Sequence, residues 1–235
     1  MGARFEELDW QETPIGAISL RRRRDPALDV DVFEVKLDDE YLMSSLFTVA
    51  EEELARLGLA AVPGSELDVV VGGLGLGCTA RAALEDQRVR SLLVVEGLGE
   101  VIEWHERGLL PLAPELTGDA RNRFLHGDFF ALAASAEGFD GGRAFDAILL
   151  DIDHSPQNVL DGGHADFYTP DGLRRMAAHL RPGGVFALWS DDPPEDGFVA
   201  VLGEVFDDVT AHVVTFDNHY TRGTSANTVY VAVTR

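Results

Sequence analysis

Apolar positions along this chain fall into two patterns. Short continuous runs occur at 67–71 (LDVVV), 91–96 (SLLVVE), 123–126 (RFLH), 144–151 (AFDAILLD) and 185–190 (VFALWS). Runs of this length without alternation predict strands buried on both faces. Between them lie helical stretches near 78–86, at 101–110 (VIEWHERGLL) and near 195–206. A further helix starts at Thr169, a capping residue with Pro170 in the first turn, and Arg181-Pro182-Gly183-Gly184 is expected to end it. Residues 209–216 (VTAHVVTF) and 227–234 (NTVYVAVT) predict a terminal antiparallel pair. Strands alternating with helices imply an α/β, Rossmann-like fold, a mostly parallel sheet of seven strands counting that pair, with right-handed crossovers.

The N-terminal part reads differently. Residues 15–20 (IGAISL) and 30–37 (VDVFEVKL) predict two strands around an exposed RRRRDP turn. The four arginines are either a solvated loop or an anion patch. A helix follows, with Thr48 and Glu51 in capping-box spacing and Ala50, Leu54 and Leu57 on one face. Pro63-Gly64 then breaks the chain. The expected organisation is a β-hairpin and helix annex over 1–62 and an α/β domain over 63–235.

Composition narrows the chemistry. The 235 residues carry 19 Lys+Arg against 41 Asp+Glu, a formal charge of −22. Nucleic acid and anionic membranes call for a basic surface, so neither is an expected partner. The acidity either serves solubility or suits a cationic substrate. Cys78 is the sole cysteine, so no internal disulfide and no cysteine-based metal site is expected. The first residues, MGARFEELDWQETP, carry acidic groups and no apolar run, unlike a secretory signal. No stretch has the roughly 18 apolar residues of a membrane helix. The expectation is a soluble, cytoplasmic protein.

Ligands of such sheets bind at the carboxyl ends of the strands. The first strand of the domain runs into Gly72-Gly73-Leu74-Gly75-Leu76-Gly77. Glycines at 73, 75 and 77 permit sharp turns and close approach of the backbone to a ligand. The spacing is neither the dinucleotide fingerprint nor a phosphate loop. Glu96 ends the second strand, where a carboxylate can accept from both ribose hydroxyls of a nucleoside. The third strand leads into His126-Gly127-Asp128-Phe129. Asp128 is placed either to accept from an adenine amino group, with Phe129 offering its N–H or ring face, or only to cap the next helix. The fourth strand ends in Asp151-Ile152-Asp153-His154, and Asp191-Asp192 follows the fifth. This is the densest acidic cluster at the active edge, and its natural ligand is a cation. A metal held by Asp151, Asp153, His154 and His164 is conceivable, but no spacing is diagnostic and no metal is expected.

These residues together resemble the class I S-adenosylmethionine-dependent methyltransferase fold, and within it the spermidine synthase family. Gly72-Gly73 resembles that family's GGGDGG loop. VVEGLGEVIEWHERGLLP resembles its second strand and helix, and FDAILLDIDHSP…FYTPDGLRRMAAHLRPGGVF its FDVIIxDSSDP…FY…L…L…GG segment. The likeness spans about residues 65–205. It implies an aminopropyltransferase that moves an aminopropyl group from decarboxylated S-adenosylmethionine to a polyamine. Position by position it implies Asp151 as the catalytic aspartate, Glu96 as ribose ligand, Asp128 as adenine ligand and Tyr168 beside the polyamine. Asp153, His154, Asp191 and Asp192 are candidates for the acceptor's ammonium groups. The family's loop aspartate falls on Gly75, which makes ordinary S-adenosylmethionine acceptable and keeps a methyltransferase as the alternative. A non-catalytic binding protein of the same fold is a third reading. A homodimer through the hairpin edge, and a lid formed by 155–166, are left open.

Overall fold

The computed structural model describes residues 5–13 and 15–235; the expectation for the first residues of the chain lies partly outside them. The N-terminal part is one antiparallel sheet of four strands in sequential order: β1 (Phe5–Thr13), β2 (Gly16–Asp25), β3 (Val30–Leu37) and β4 (Glu40–Ser44). It is larger than the expected hairpin. The arginines do not form a turn. Arg21 to Arg24 lie within β2, where Arg23 bonds Glu34 at 2.7 Å and Asp25 at 3.0 Å, and Arg22 bonds Glu6 at 2.6 Å. With their charges answered across the sheet, they offer no anion patch.

The remainder is the seven-stranded sheet. Its strands are β5 (Leu67–Gly72), β6 (Val89–Glu96), β7 (Asn122–His126), β8 (Phe145–Leu150), β9 (Leu180–Ser190), β10 (Asp208–Asn218) and β11 (Gly223–Val233). They stand in the order β10-β11-β9-β8-β5-β6-β7, parallel except for β11, which runs antiparallel to both β9 and β10. Side chains alternate across it, as the pleat requires. Val69, Val71, Leu149, Ala187 and Val229 face one layer, and Val70, Ile148, Leu150, Phe186 and Tyr230 the other. The first layer holds α1 (Val49–Ala60), α2 (Cys78–Glu85), α3 (Gly99–Glu106) and α4 (Ala113–Gly118). The second holds α5 (Phe129–Ala134), α6 (Pro170–Ala177) and α7 (Asp196–Gly203).

Two local expectations need correction. Arg181-Pro182-Gly183-Gly184 does not end α6; the helix stops at Ala177 and these residues begin β9. The Thr48–Glu51 capping box does not form, because Thr48 adopts φ −114° and ψ 8° and its side chain caps no backbone N–H. The segment after β8 has local structure of its own. It closes through paired Ser155 and Asn158 and then winds into a 3-10 segment, Gly162–Tyr168. Thr169, by contrast, caps α6 through Gly172 N–H as its sequence signals.

The four-stranded sheet is tied to the rest near the strand ends that matter. Ile18, Leu20 and Val35 join the same core as Leu54 and Leu59 of α1. Trp104 of α3 donates to Asp9 at 2.6 Å, and Tyr220, in the β10–β11 turn, donates to Asp25 at 2.6 Å.

Candidate active site

The glycine loop follows β5 because the backbone there passes where side chains do not fit. A Cβ on Gly73 would lie 2.1 Å from the Asp151 carbonyl oxygen, and Gly73 has φ +94°. Gly77, at φ +91°, opens α2 and packs on Leu116, 2.5 Å from where its Cβ would be. Asp151 N–H donates to Gly72 O at 2.8 Å, which locks the β5 and β8 ends together. These contacts leave a narrow backbone cradle that a β-carbon would fill.

Glu96 is the loop's internal anchor. Its Oε2 accepts from Leu74 N–H at 2.9 Å and Gly75 N–H at 3.4 Å, and its Oε1 from Leu98 N–H at 2.9 Å. Burial raises its carboxyl above the ordinary range, against the pull of those N–H groups. A carboxylate has about four acceptor positions, so capacity for ribose hydroxyls is left, but the first partners are its own loop. Gly75 stands beneath Met43 of β4, whose sulfur is 3.0 Å from the Cβ position. His105, fully buried in α3, contacts the Gly75 carbonyl at 2.9 Å.

Gly127 sits at the end of β7, its N–H donating to Glu96 O at 2.9 Å. Asp128 caps α5: its Oδ1 accepts from Phe130 N–H at 2.9 Å and Ala131 N–H at 3.1 Å, and the residue is exposed. The ring of Phe129 is not on the ligand side. It is buried, filling the space over Gly72, and packs on Phe139 at 5.0 Å.

The acidic edge divides into two sets. Asp153 is buried and fully engaged, accepting from Leu160 N–H and Tyr168 OH at 2.8 Å and lying 2.9 Å from His164 Nδ1. Burial and the Asp153 charge keep the Tyr168 phenol protonated far above its usual range. Asp153 and Tyr168, expected to face the acceptor, are therefore spent on each other, and they hold 153–168 against β8. His154 gives its carbonyl oxygen to Asp191 N–H at 2.7 Å. Asp192 lends its carbonyl to Thr228, 2.7 Å away.

Asp151, Glu51 and Asp191 form the other set. Asp151 Oδ2 accepts from Thr79 Oγ at 2.7 Å, and the Glu51 carbonyl oxygen lies 3.2 Å from the same hydroxyl. Burial pushes the Asp151 carboxyl up to about 6. Burial first, then the Asp151 charge, pushes Glu51 up to about 8, with Asp191 adding to the effect. Cys78, beside them, is raised to about 12 by burial and then by Glu51 and Asp151, which makes it an inert thiol. A half-buried carboxyl pair held partly protonated, with no counter-ion among the described residues, suits a cation or a proton in transit. Glu51 was not among the residues picked from sequence. Its signal is a charge on the buried stripe of α1, three, four and seven residues before Leu54, Ala55 and Gly58. Among the described residues no group of His, Cys, Asp and Glu is arranged to hold a metal ion, and no helix is long and apolar enough to cross a membrane.

The strand order, the glycine loop and the acidic strand ends define a class I methyltransferase-type fold with its ligand edge along β5, β6, β7 and β8. Within that class its fold is similar to that of spermidine synthases. Spermidine synthase from Thermotoga maritima superposes with a TM-score of 0.72 at 18% identity, over 97% of this chain and 72% of that one. A spermidine synthase in complex with the transition-state analogue AdoDATO gives 0.73 at 20%, over 97% and 74%. A probable spermidine synthase from Corynebacterium glutamicum gives 0.63 at 18%, over 96% and 79%. Polyamine aminopropyltransferase 2 of Pseudomonas aeruginosa is 26% identical over 163 residues, 63% of this chain and 42% of that protein. The chain thus spans less than half the length of that curated relative. No family model matches.

Proposed function

We propose that this chain is a transferase of spermidine synthase type, moving an aminopropyl group from decarboxylated S-adenosylmethionine to an amine nitrogen of a polyamine. The observation that carries the reading is Asp151, half-buried at the end of β8 and fixed by Thr79 at 2.7 Å beside Glu51 and a glycine cradle that a nucleoside would occupy. The similarity to a polyamine aminopropyltransferase and to spermidine synthases supports it.

An alkylamine has a pKa near 10.4 and arrives as an ammonium ion. The paired carboxyls answer that charge in a site which otherwise keeps a proton. Asp151 takes one proton from the ammonium as the nitrogen lone pair attacks, forming the C–N bond as the C–S⁺ bond breaks, so sulfur leaves as a thioether and the product nitrogen keeps the positive charge as a secondary ammonium. Raised into the neutral range, Asp151 is a better proton acceptor than an ordinary aspartate. Thr79 fixes the Asp151 carboxylate, so the nitrogen is aligned as well as deprotonated. In this reading Glu96 and the loop carry the nucleoside, and Asp128, whose Oδ2 takes no part in the helix cap, accepts from the base.

Gly75 favours a second reading, methyl transfer from S-adenosylmethionine, since no carboxylate on the loop opposes that donor's own carboxylate. Incubation with both donors and a polyamine panel, followed by mass spectrometry of the nucleoside product, decides. Methylthioadenosine with an acceptor lengthened by one aminopropyl unit supports the first reading. S-adenosylhomocysteine supports the second. Neither product, together with no nucleoside binding, returns the chain to a non-catalytic role.

A further inference from the structure

The glycine loop is held from two sides at Gly75. Its N–H meets Glu96 Oε2 at 3.4 Å, and its carbonyl oxygen meets His105 Nε2 at 2.9 Å. His105 lies in the last turn of α3, on the side that also buries Val101 and Ile102, and none of it reaches solvent. Its ring packs under a second glycine as well, with Cε1 3.1 Å from where a Cβ on Gly77 would lie.

The chemistry of the bond fixes the state of the ring. A carbonyl oxygen only accepts, so Nε2 carries the hydrogen and donates it. Nδ1 is then a buried lone pair with no partner among the described residues. A second proton would create an N–H there with nothing to receive it, and burial lowers the pKa of the ring accordingly. His105 is a fixed neutral donor and not a proton carrier.

That donor meets a peptide whose orientation the backbone alone leaves open. Gly77 N–H donates to Leu74 O at 2.8 Å, which closes a reverse turn over 74–77 with Gly75 at its first central position, φ +48°. The Gly75–Leu76 peptide is the middle of this turn and belongs to no helix or strand. Gly75 has no β-carbon to restrict rotation beside it. The bond to His105 turns its carbonyl toward α3. In a planar trans unit the Leu76 N–H then points the opposite way, out of the α3 layer.

Building on the reading of this loop as the nucleoside cradle, we propose that His105 is the cradle's positioning residue. Its Nε2–H bond to Gly75 fixes the loop conformation in which Glu96 and the loop N–H groups meet the donor nucleoside. It touches neither donor nor acceptor and acts through Gly75.

The test titrates 5′-methylthioadenosine by calorimetry into the full chain and three variants. His105→Gln brings an amide N–H to about the reach of imidazole Nε2. His105→Leu fills the space without a donor, and His105→Asn carries an amide that stops near the Nδ1 position. The glutamine variant is expected to bind within about twofold of the unaltered chain, and the other two about threefold to tenfold more weakly, the value of one neutral hydrogen bond. If His105→Leu does not fold, His105→Asn decides in its place. Equal weakening in the glutamine and donor-less variants would show that ring volume matters and the bond does not, which overturns the proposal. Unchanged affinity in the donor-less variants overturns it too and leaves the cradle reading standing. Absence of nucleoside binding by the unaltered chain overturns both.

Discussion

Replacing Glu51 with glutamine tests the carboxyl pair without touching its shape. In the folded chain Glu51 is raised from 4.5 to about 8, by burial and then by the Asp151 charge. A carboxyl with a raised folded pKa binds more protons folded than unfolded, so its contribution is complete at low pH and is lost as pH rises through the folded value. At about 1.4 kcal/mol per pH unit, the full loss is about 5 kcal/mol, of which about 3 kcal/mol falls between pH 5.5 and 9. Glu51 is partly exposed, and screening brings the amount to look for to about 2 kcal/mol. Glutamine carries no charge at either pH. Urea unfolding of both proteins should therefore give similar stabilities at pH 5.5, with Glu51→Gln ahead by about 2 kcal/mol at pH 9. A stability difference that stays constant from pH 5.5 to 9 would refute the pairing and the cation site built on it.

Other consequences follow from the same geometry. Asp151→Asn should abolish transfer, at least a thousandfold in kcat if the residue is both aligning and accepting a proton, while nucleoside affinity measured by calorimetry stays within about twofold. Glu96→Ala leaves three loop N–H groups without their acceptor. It should weaken nucleoside binding by about 1.5–3 kcal/mol for each charge-assisted bond the ligand shares with it, and an unchanged Kd places the ribose elsewhere. Asp153→Asn removes the charge that gathers Leu160, His164 and Tyr168. It should cost about 1–3 kcal/mol and speed limited proteolysis within 155–168; an unaltered cleavage pattern would show that the segment is held by other contacts.

The parallel core was legible because its strands are buried on both faces and have to be apolar at every position. LDVVV and AFDAILL announce β5 and β8 without alternation. The four-stranded sheet was half hidden for the opposite reason. Strand β1 is mostly exposed or half-buried and reads FEELDWQET, while β2 carries four arginines whose stems lie along the sheet and whose heads are answered by Glu6, Glu34, Asp25 and Asp31. Charge within a run reads as a turn, although a charge can sit in a strand when its partner is on the next one.

The candidate site shows the same limit. Position at a strand end identified Glu96 and Asp151, because the topology brings every such end to one edge. It did not separate Asp151 from Asp153. The two are a single residue apart from adjacency, yet one faces a hydroxyl in the site and the other is closed off by Tyr168, 15 residues further on through a 3-10 segment that the glycines concealed. Glu51 was hidden by a motif that pointed to a local role. Thr48 and Glu51 have capping-box spacing, and a capping glutamate belongs to its own helix end. The backbone at Thr48 is not extended, so the box is not formed, and Glu51 is free to lie on the buried stripe of α1 facing β8 and β9. A carboxylate on an apolar stripe conflicts with burial, and such conflicts concentrate where a ligand's charge resolves them. Read that way, Glu51 is the more informative of the two acidic partners, because the fold has no structural use for its charge.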